Sequence, residues 1–289
     1  MPLITRPPQP GALRIRRRDL LGALSVCLPL VGCASRAAEA PSAAARAELS
    51  TEGRLRVAIN LGNPILASRG DRPGDPQGVS VDLAREAGRR LGLPIEWVEL
   101  PAAGQAVEAV RAGQVNLAFV AIDPVRGADL DYTAPYVTIE GAYLVRADSP
   151  LTRNEEVDRS GTRVVVGRGS AYDLYLTRAL QQARLVRAPT SPAVVDQFLA
   201  EGLEVAAGVR QQLQADMGRL AAAAGAPALR LLPGRFMVIE QAMAVPKGRL
   251  AAQAWLSAFI EEMKASGFVA DSLRRHGIDG AAVAPPARP

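Results

Sequence analysis

This chain of 289 residues is poor in the side chains that most metal centres and many enzyme sites need. It has a single histidine, His276, and two cysteines, Cys27 and Cys33. No cysteine–histidine spacing of the metal-ligating kind occurs. No serine in the body of the chain has a histidine to serve as its base, because His276 lies near the C-terminus, where a cation suits the end of the last expected helix. Aromatic residues make up 4% of the chain, too few for a cage around a quaternary ammonium ligand. Adjacent carboxylates such as Glu155-Glu156 and Glu261-Glu262 read as solvated faces, and no fixed-period repeat is visible. Excess charge is also scarce. Of the formal net +5, residues 1–32 hold five arginines and one aspartate, or +4, which leaves the remainder near +1. That balance argues against a nucleic-acid partner.

The N-terminus carries a cationic start, Arg14, Arg16, Arg17 and Arg18, followed by an apolar run from Leu20 to Gly32. Thirteen residues is the length of a secretory signal, whereas a helix crossing the hydrocarbon core needs roughly 20. The small residues of Leu30-Val31-Gly32-Cys33 resemble the lipobox of bacterial lipoproteins, in which the cysteine is lipidated and becomes the first residue of the mature chain. Arg17-Arg18-Asp19-Leu20-Leu21 is similar to a twin-arginine export signal, with general export as the alternative. The resemblance implies that residues 1–32 are removed, that Cys33 carries the lipid, and that no cysteine is left for a disulfide. The expected location is periplasmic, held to a membrane by a lipid anchor. Residues 33–52, rich in Ala, Ser and Pro without an apolar period, read as a flexible tether.

Roughly 225 residues remain, enough for two lobes. Their pattern alternates. Strands are expected over 54–60, 95–100, 114–122, 163–167, 203–207 and 236–245. Helices are expected over 81–91, 106–112, 171–183, 249–266 and 269–276. Ser191-Pro192 marks a further helix start running to Glu201, with serine as cap and proline where its missing N–H costs nothing. Alternating strands and helices imply an α/β fold with mainly parallel sheets covered by helices.

Several segments carry a family resemblance. Leu55-Arg56-Val57-Ala58-Ile59, Gly78-Val79-Ser80-Val81-Asp82-Leu83-Ala84, Leu130-Asp131-Tyr132-Thr133-Ala134-Pro135-Tyr136, Gly141–Arg146 and Val238–Lys247 are similar, in order and type, to motifs of the bacterial extracellular solute-binding proteins of the polar amino acid type. That family implies a two-lobed periplasmic-binding-protein fold of type II, with two strands crossing between lobes and a ligand trapped by hinge closure. It places lobe one at 53–145 and 242–279 and lobe two at 146–241, with hinges near Arg146 and Gln241 and a disordered tail at 280–289.

The resemblance also nominates binding residues. Ala121-Ile122-Asp123-Pro124-Val125-Arg126 occupies the place of the loop that grips a ligand carboxylate, with Arg126 at the arginine position. A planar guanidinium matches a carboxylate bidentately, and a closed cleft strengthens the pair by excluding water. A local ion pair between Arg126 and Asp123 is the competing explanation. Gly167-Arg168-Gly169-Ser170-Ala171 follows a strand and opens a helix, so Ser170 and Ala171 sit where free N–H groups favour anions. Capping alone would also account for Ser170. Asn63, Glu140 and Gln241 complete the candidates, each more commonly a solvated polar residue when taken singly.

The departures from the family pattern are specific. Where its amino acid binders hold the ligand ammonium with an acid, this chain has Gly208 or Val209. Where they sandwich the ligand with aromatic rings, it has 60–65 and 103–105. Two readings stay open: an anion without an α-ammonium, or an amino group met from new directions by Asp123, Glu140 or Gln241. The expected role is the monomeric, cofactor-free, metal-free, non-enzymatic binding subunit of an ABC importer, delivering a small carboxylate-bearing solute to a permease. A dehydratase-like enzyme with Glu140 as acid, and a ligand sensor without transport, are the alternatives.

Overall fold

The computed structural model describes residues 40–287 apart from 73, 223, 224 and 226. The expected export segment and Cys33 lie outside the described residues. The strands are β1 (Leu55–Asn60), β2 (Ile95–Leu100), β3 (Leu117–Ala121), β4 (Leu130–Arg146), β5 (Arg163–Gly167), β6 (Arg184–Ala188), β7 (Val205–Val209), β8 (Leu229–Leu231), β9 (Met237–Pro246) and β10 (Ala282–Val283). The helices are α1 (Ala43–Glu48), α2 (Val79–Leu91), α3 (Ala103–Arg111), α4 (Ala171–Ala179), α5 (Val194–Ala200), α6 (Arg210–Ala221), α7 (Leu250–Ala265) and α8 (Phe268–Arg275).

The strand order is β2-β1-β3-β9-β4-β7-β5-β6, with β8 and β10 each paired to β4. Two parallel triads, β2-β1-β3 and β7-β5-β6, form the two lobes, joined through the antiparallel pair β4 and β9. The centres of β5 and β7 are continuous apolar runs because helices cover both faces. Val164, Val165, Val166, Val205, Ala206 and Ala207 are all fully buried. Strand β4 is long enough to take part in both lobes, pairing with β9 at Leu130–Gly141 and with β7 at Gly141–Leu144. Its ladder shifts register around Pro135, where a residue without an N–H is tolerated. Thr133 Oγ1 fills the gap by accepting the Met243 N–H at 3.2 Å.

Two of the sequence motifs meet in the core of lobe one. Gly78 adopts φ +125° immediately before α2, and a Cβ there would lie 2.3 Å from the Leu66 carbonyl oxygen. Only glycine fits such a position. Ser80, two residues on, shares a 2.8 Å hydrogen bond with the hydroxyl of the fully buried Tyr136.

Asp82, in the first turn of α2, ties that helix to α8. Its Oδ2 accepts from Ser272 Oγ at 2.5 Å and Arg275 Nη2 at 2.8 Å, and His276 Nε2 lies 3.0 Å away. Burial alone would raise the Asp82 pKa, but these three partners outweigh it and hold the carboxyl below its usual range. A depressed carboxylate contributes stability above its unfolded pKa and loses it as pH falls through the folded one. Asp82→Asn is therefore expected to cost about 1–2 kcal/mol at pH 7. The gap between the two proteins in denaturant melts should narrow below the ordinary carboxylate range. A gap independent of pH would mean that Asp82 acts without its charge.

The structure departs from the sequence expectations at several places. The segment expected as a flexible tether, 33–52, contains α1, capped by Ser42, with Ala45 and Leu49 fully buried. Arg46 Nε donates to the Leu91 carbonyl at 2.9 Å, and Glu48 Oε2 accepts the Ala252 N–H at the start of α7. The expected disordered tail, 280–289, adds β10 to the edge of β4, and the Ala284 N–H donates to the Tyr136 carbonyl. Helix α4 stops at Ala179 rather than at residue 183, because the Asp158 carboxylate collects the N–H groups of Gln181, Gln182 and Ala183 and turns the chain outward. Strand β6 and helix α6 were not legible. Edge strand β6 has arginines at both faces, and α6 buries only Leu213. Among the described residues, no helix is long and apolar enough to cross a membrane.

Candidate functional site

A cleft between the two triads encloses an empty volume of about 350 Å³, including the part open to solvent. Lobe one supplies Asn60, Gly62, Asn63, Ala103, Ala121 and Arg126, and lobe two supplies Ser170, Ala171, Tyr172, Ser191 and Val209. Ile239 and Gln241 of β9 complete the lining, Gln241 standing in register with Ala121.

Arg126 follows β3 in a single 3-10 turn and is only 4% exposed. Its Nη1 donates to the Ala121 carbonyl at 3.0 Å, and its Nη2 reaches across the cleft to the Gly169 carbonyl at 2.7 Å. Both partners are neutral. Burial therefore pulls the guanidinium pKa down, while Tyr132 and Asp123 work weakly the other way. A guanidinium has five N–H donors and is not deprotonated in proteins, so this is a buried cation without an acid bonded to it. The local ion pair with Asp123 does not form. Asp123 Oδ1 accepts the Val125 N–H at 2.8 Å, and Oδ2 accepts from Arg178 Nη2 of α4 at 2.8 Å.

Opposite Arg126, helix α4 begins. Ser170 caps it, its Oγ accepting the Asp173 N–H at 3.0 Å, while Asp173 Oδ2 accepts the Gly169 N–H at 2.8 Å. This reciprocal cap leaves Ala171 and Tyr172 in the first turn, where N–H groups lack acceptors within the helix. The positive end of α4 thus faces the same space as the guanidinium. Tyr172 is buried beside them, and that burial pushes its pKa up to about 12 against hydrogen bonds from Ser191 and Ser170, so its hydroxyl is neutral.

The lobes touch here through glycine. A Cβ at Gly169, which adopts φ +68°, would lie 3.3 Å from the Gly104 Cα. Backbone meets backbone where larger side chains would hold the walls apart. The described cleft is therefore closed, and it is tied by Arg126 to Gly169 and by Asp123 to Arg178.

The structure brings together Arg126, Ser170, Ala121, Ala171, Asn63 and Gln241 around one space. It does not bring Asp123 or Glu140 into the lining. Asp123 closes the lobes instead. Glu140, on β4, is held by Arg210 at 2.9 Å and Arg235 at 2.8 Å. The hydrogen bond from Arg235, with a second from Arg210, keeps its carboxyl below the usual range. It is ionised near neutrality and stands outside the lining residues. Tyr172, Ser191 and Ile239 were missed by sequence reasoning. Ser191 carried a signal, but one read as capping. It lies instead inside a 3-10 turn whose cap position is held by Thr190. Among the described residues, no group of three or more His, Cys, Asp or Glu side chains could hold a metal ion.

Two parallel triads around a pair of crossing strands, closed over a cleft, define a two-lobed periplasmic-binding-protein fold of type II. The chain belongs to the bacterial extracellular solute-binding proteins, family 3, whose model matches residues 55–277. Among solved structures it is similar to the solute receptors for L-cysteine of Neisseria gonorrhoeae, at 22% identity and a TM-score of 0.69, covering 81% of this chain and 94% of that one. It is also similar to a mutant of ArgBP from T. maritima, at 18% identity and a TM-score of 0.68, covering 81% and 99%. A third likeness is to the ancestral amino acid-binding protein AncCDT-1, described as a precursor of cyclohexadienyl dehydratase, at 19% identity and a TM-score of 0.66, covering 80% and 98%. The curated protein sequences contain no match to the chain.

Proposed function

We propose that this protein captures a small carboxylate-bearing solute by hinge closure and delivers it to the permease of an ABC importer, as a monomer held at the periplasmic membrane surface through lipid on Cys33. The observation that carries the reading is Arg126, buried at the cleft wall with only carbonyl partners. A buried charge of this kind is costly unless an opposite charge completes it. A ligand carboxylate would do so bidentately, with the first turn of α4 as a second anion donor set. The family membership supports solute capture and the link to a permease. Lobe boundaries at 53–145 with 242–279 and at 146–241 fit a hinge on β4 and β9.

The enzyme alternative loses its candidate acid, because Glu140 stands outside the lining with its carboxyl held ionised by two arginines. The lining residues include no aspartate or glutamate.

A thermal-shift screen of amino acids, keto acids, hydroxy acids and dicarboxylates tests the reading. At a ligand concentration of 100 times Kd, linkage gives about 2.7 kcal/mol, or roughly 5–10 °C for a domain of this size. Arg168→Ala, at an exposed position outside the lining, should leave the shift intact. Silence from every carboxylate with a response to an uncharged solute would overturn it. Long incubation should return the solute unchanged.

A further inference from the structure

We propose that the cleft selects carboxylates whose second polar group is neutral, a hydroxyl or an amide, over the matching α-amino acids, and that Asn63 makes this choice. The inference rests on the carboxylate reading and narrows it. Two independent features of the lining carry it.

The first is charge. Arg126 is the only charged side chain among the lining residues, and Tyr172 is neutral. The nearby acids are engaged elsewhere: Asp123 with Arg178 and the Val125 N–H, Asp173 with Arg187 and the Gly169 N–H, Glu140 with Arg210 and Arg235. The wall where a counter-charge would be needed is apolar, formed by Val209 and Ile239, each at least nine-tenths buried. An ammonium carried into this space would lose its hydration beside a guanidinium and find no anion but its own carboxylate. A hydroxyl or amide would pay a far smaller desolvation cost.

The second is an unmet hydrogen bond. Asn63 is 8% exposed, and its Oδ1 has no partner although it lines the cleft. The loop that holds it is fixed by its own backbone, the Asn63 carbonyl accepting the N–H groups of Leu66 and Ala67. Buried polar atoms left unpaired are rare in folded proteins and destabilising. One unpaired acceptor on a lining residue calls for one donor on the ligand, which a neutral hydroxyl or amide N–H supplies. An ammonium brings three donors and a charge.

The test uses matched pairs that differ only at the second group: glycolate and glycine, lactate and alanine, malate and aspartate. Each is titrated calorimetrically into the whole protein with Arg126 intact. In at least one pair the hydroxy acid should bind at least 10-fold more tightly than the amino acid. Asn63→Asp, nearly equal in shape, should shift the ratio by at least 10-fold toward the amino acid by providing an anion for the ammonium. The comparison in the unaltered protein decides the matter even if that variant fails to fold. Binding within the pairs without that 10-fold preference in any of them overturns the selectivity while leaving the carboxylate reading in place. If no member of any pair binds, and no carboxylate responds in the wider screen, the carboxylate reading falls first and the selectivity with it. If only other carboxylates respond, the neutral-donor inference is overturned when those responders carry an α-ammonium or lack a hydroxyl or amide.

Discussion

Arg126→Met is expected to weaken carboxylate binding by roughly 30-fold or more while leaving the unliganded protein within about 2 kcal/mol of its original stability. The two effects separate because the guanidinium is poorly compensated in the protein alone. Its bonds to the Ala121 and Gly169 carbonyls are neutral contacts, each worth about 1 kcal/mol. Methionine forfeits them but also removes a buried charge and keeps most of the side-chain volume. Binding has no such offset. Truncating one partner of a buried, hydrogen-bonded charge pair costs about 2–5 kcal/mol, or roughly 30- to 5,000-fold in Kd. Calorimetry with a carboxylate that binds the unaltered protein, alongside denaturant melts without ligand, reads both quantities. A variant that binds normally but melts several kcal/mol lower would show Arg126 to be a structural residue.

Arg178→Ala is expected to open the cleft. Asp123 is 5% exposed in the closed arrangement, and Arg178 is its only ion-pair partner among the described residues. Removing Arg178 leaves a carboxylate buried at the contact between lobes, which penalises closure and not the open form. Because the Arg178 side chain is 42% exposed, solvent screens the pair, and about 1–2 kcal/mol is the appropriate scale. That is roughly 5- to 30-fold in the ratio of closed to open forms. Solution scattering should report a larger radius of gyration without ligand, and solute affinity should fall by at most the same factor. Asp123→Asn combined with Arg178→Ala should recover part of both, since it removes the stranded charge. Raising salt should act on the original protein in the direction of the single variant. An unchanged radius and affinity would mean that closure is held by other contacts, the Gly104–Gly169 approach and the Arg126 bridge among them.

Much of the scaffold was legible because its strongest signals are local. Val164–Val166 and Val205–Ala207 are short apolar runs bounded by polar residues, as buried parallel strands require. Gly78 before α2 marks a backbone conformation that few other residues satisfy, and Ser170 before α4 supplies a side-chain cap. The loop bearing Arg126 was found by likeness to a family, and its burial agrees with a role that sequence alone could not weigh against a surface arginine.

What stayed hidden depends on partners far apart in the chain. Asp123 and Arg178 have no local pattern that joins them, so Asp123 was placed beside the ligand when it fastens the lobes. Glu140 looked like a free acid near a hinge until Arg210 and Arg235 folded onto it. The tether and the tail, poor in periodic apolar residues, still contribute α1 and β10, and the few apolar residues they do hold, Ala45, Leu49 and Ala284, are buried. Strand β6 carries arginines where a parallel-sheet strand would be apolar, which is the mark of an edge.

The most direct measurement is the crystal structure of the protein with a carboxylate that stabilises it in the thermal screen. The account requires the carboxylate to lie within hydrogen-bonding distance of the Arg126 guanidinium, about 2.7–3.0 Å, with its other oxygen toward the first turn of α4. A ligand seated in the cleft with its carboxylate away from Arg126, and the guanidinium still bonded only to the Ala121 and Gly169 carbonyls, would contradict it.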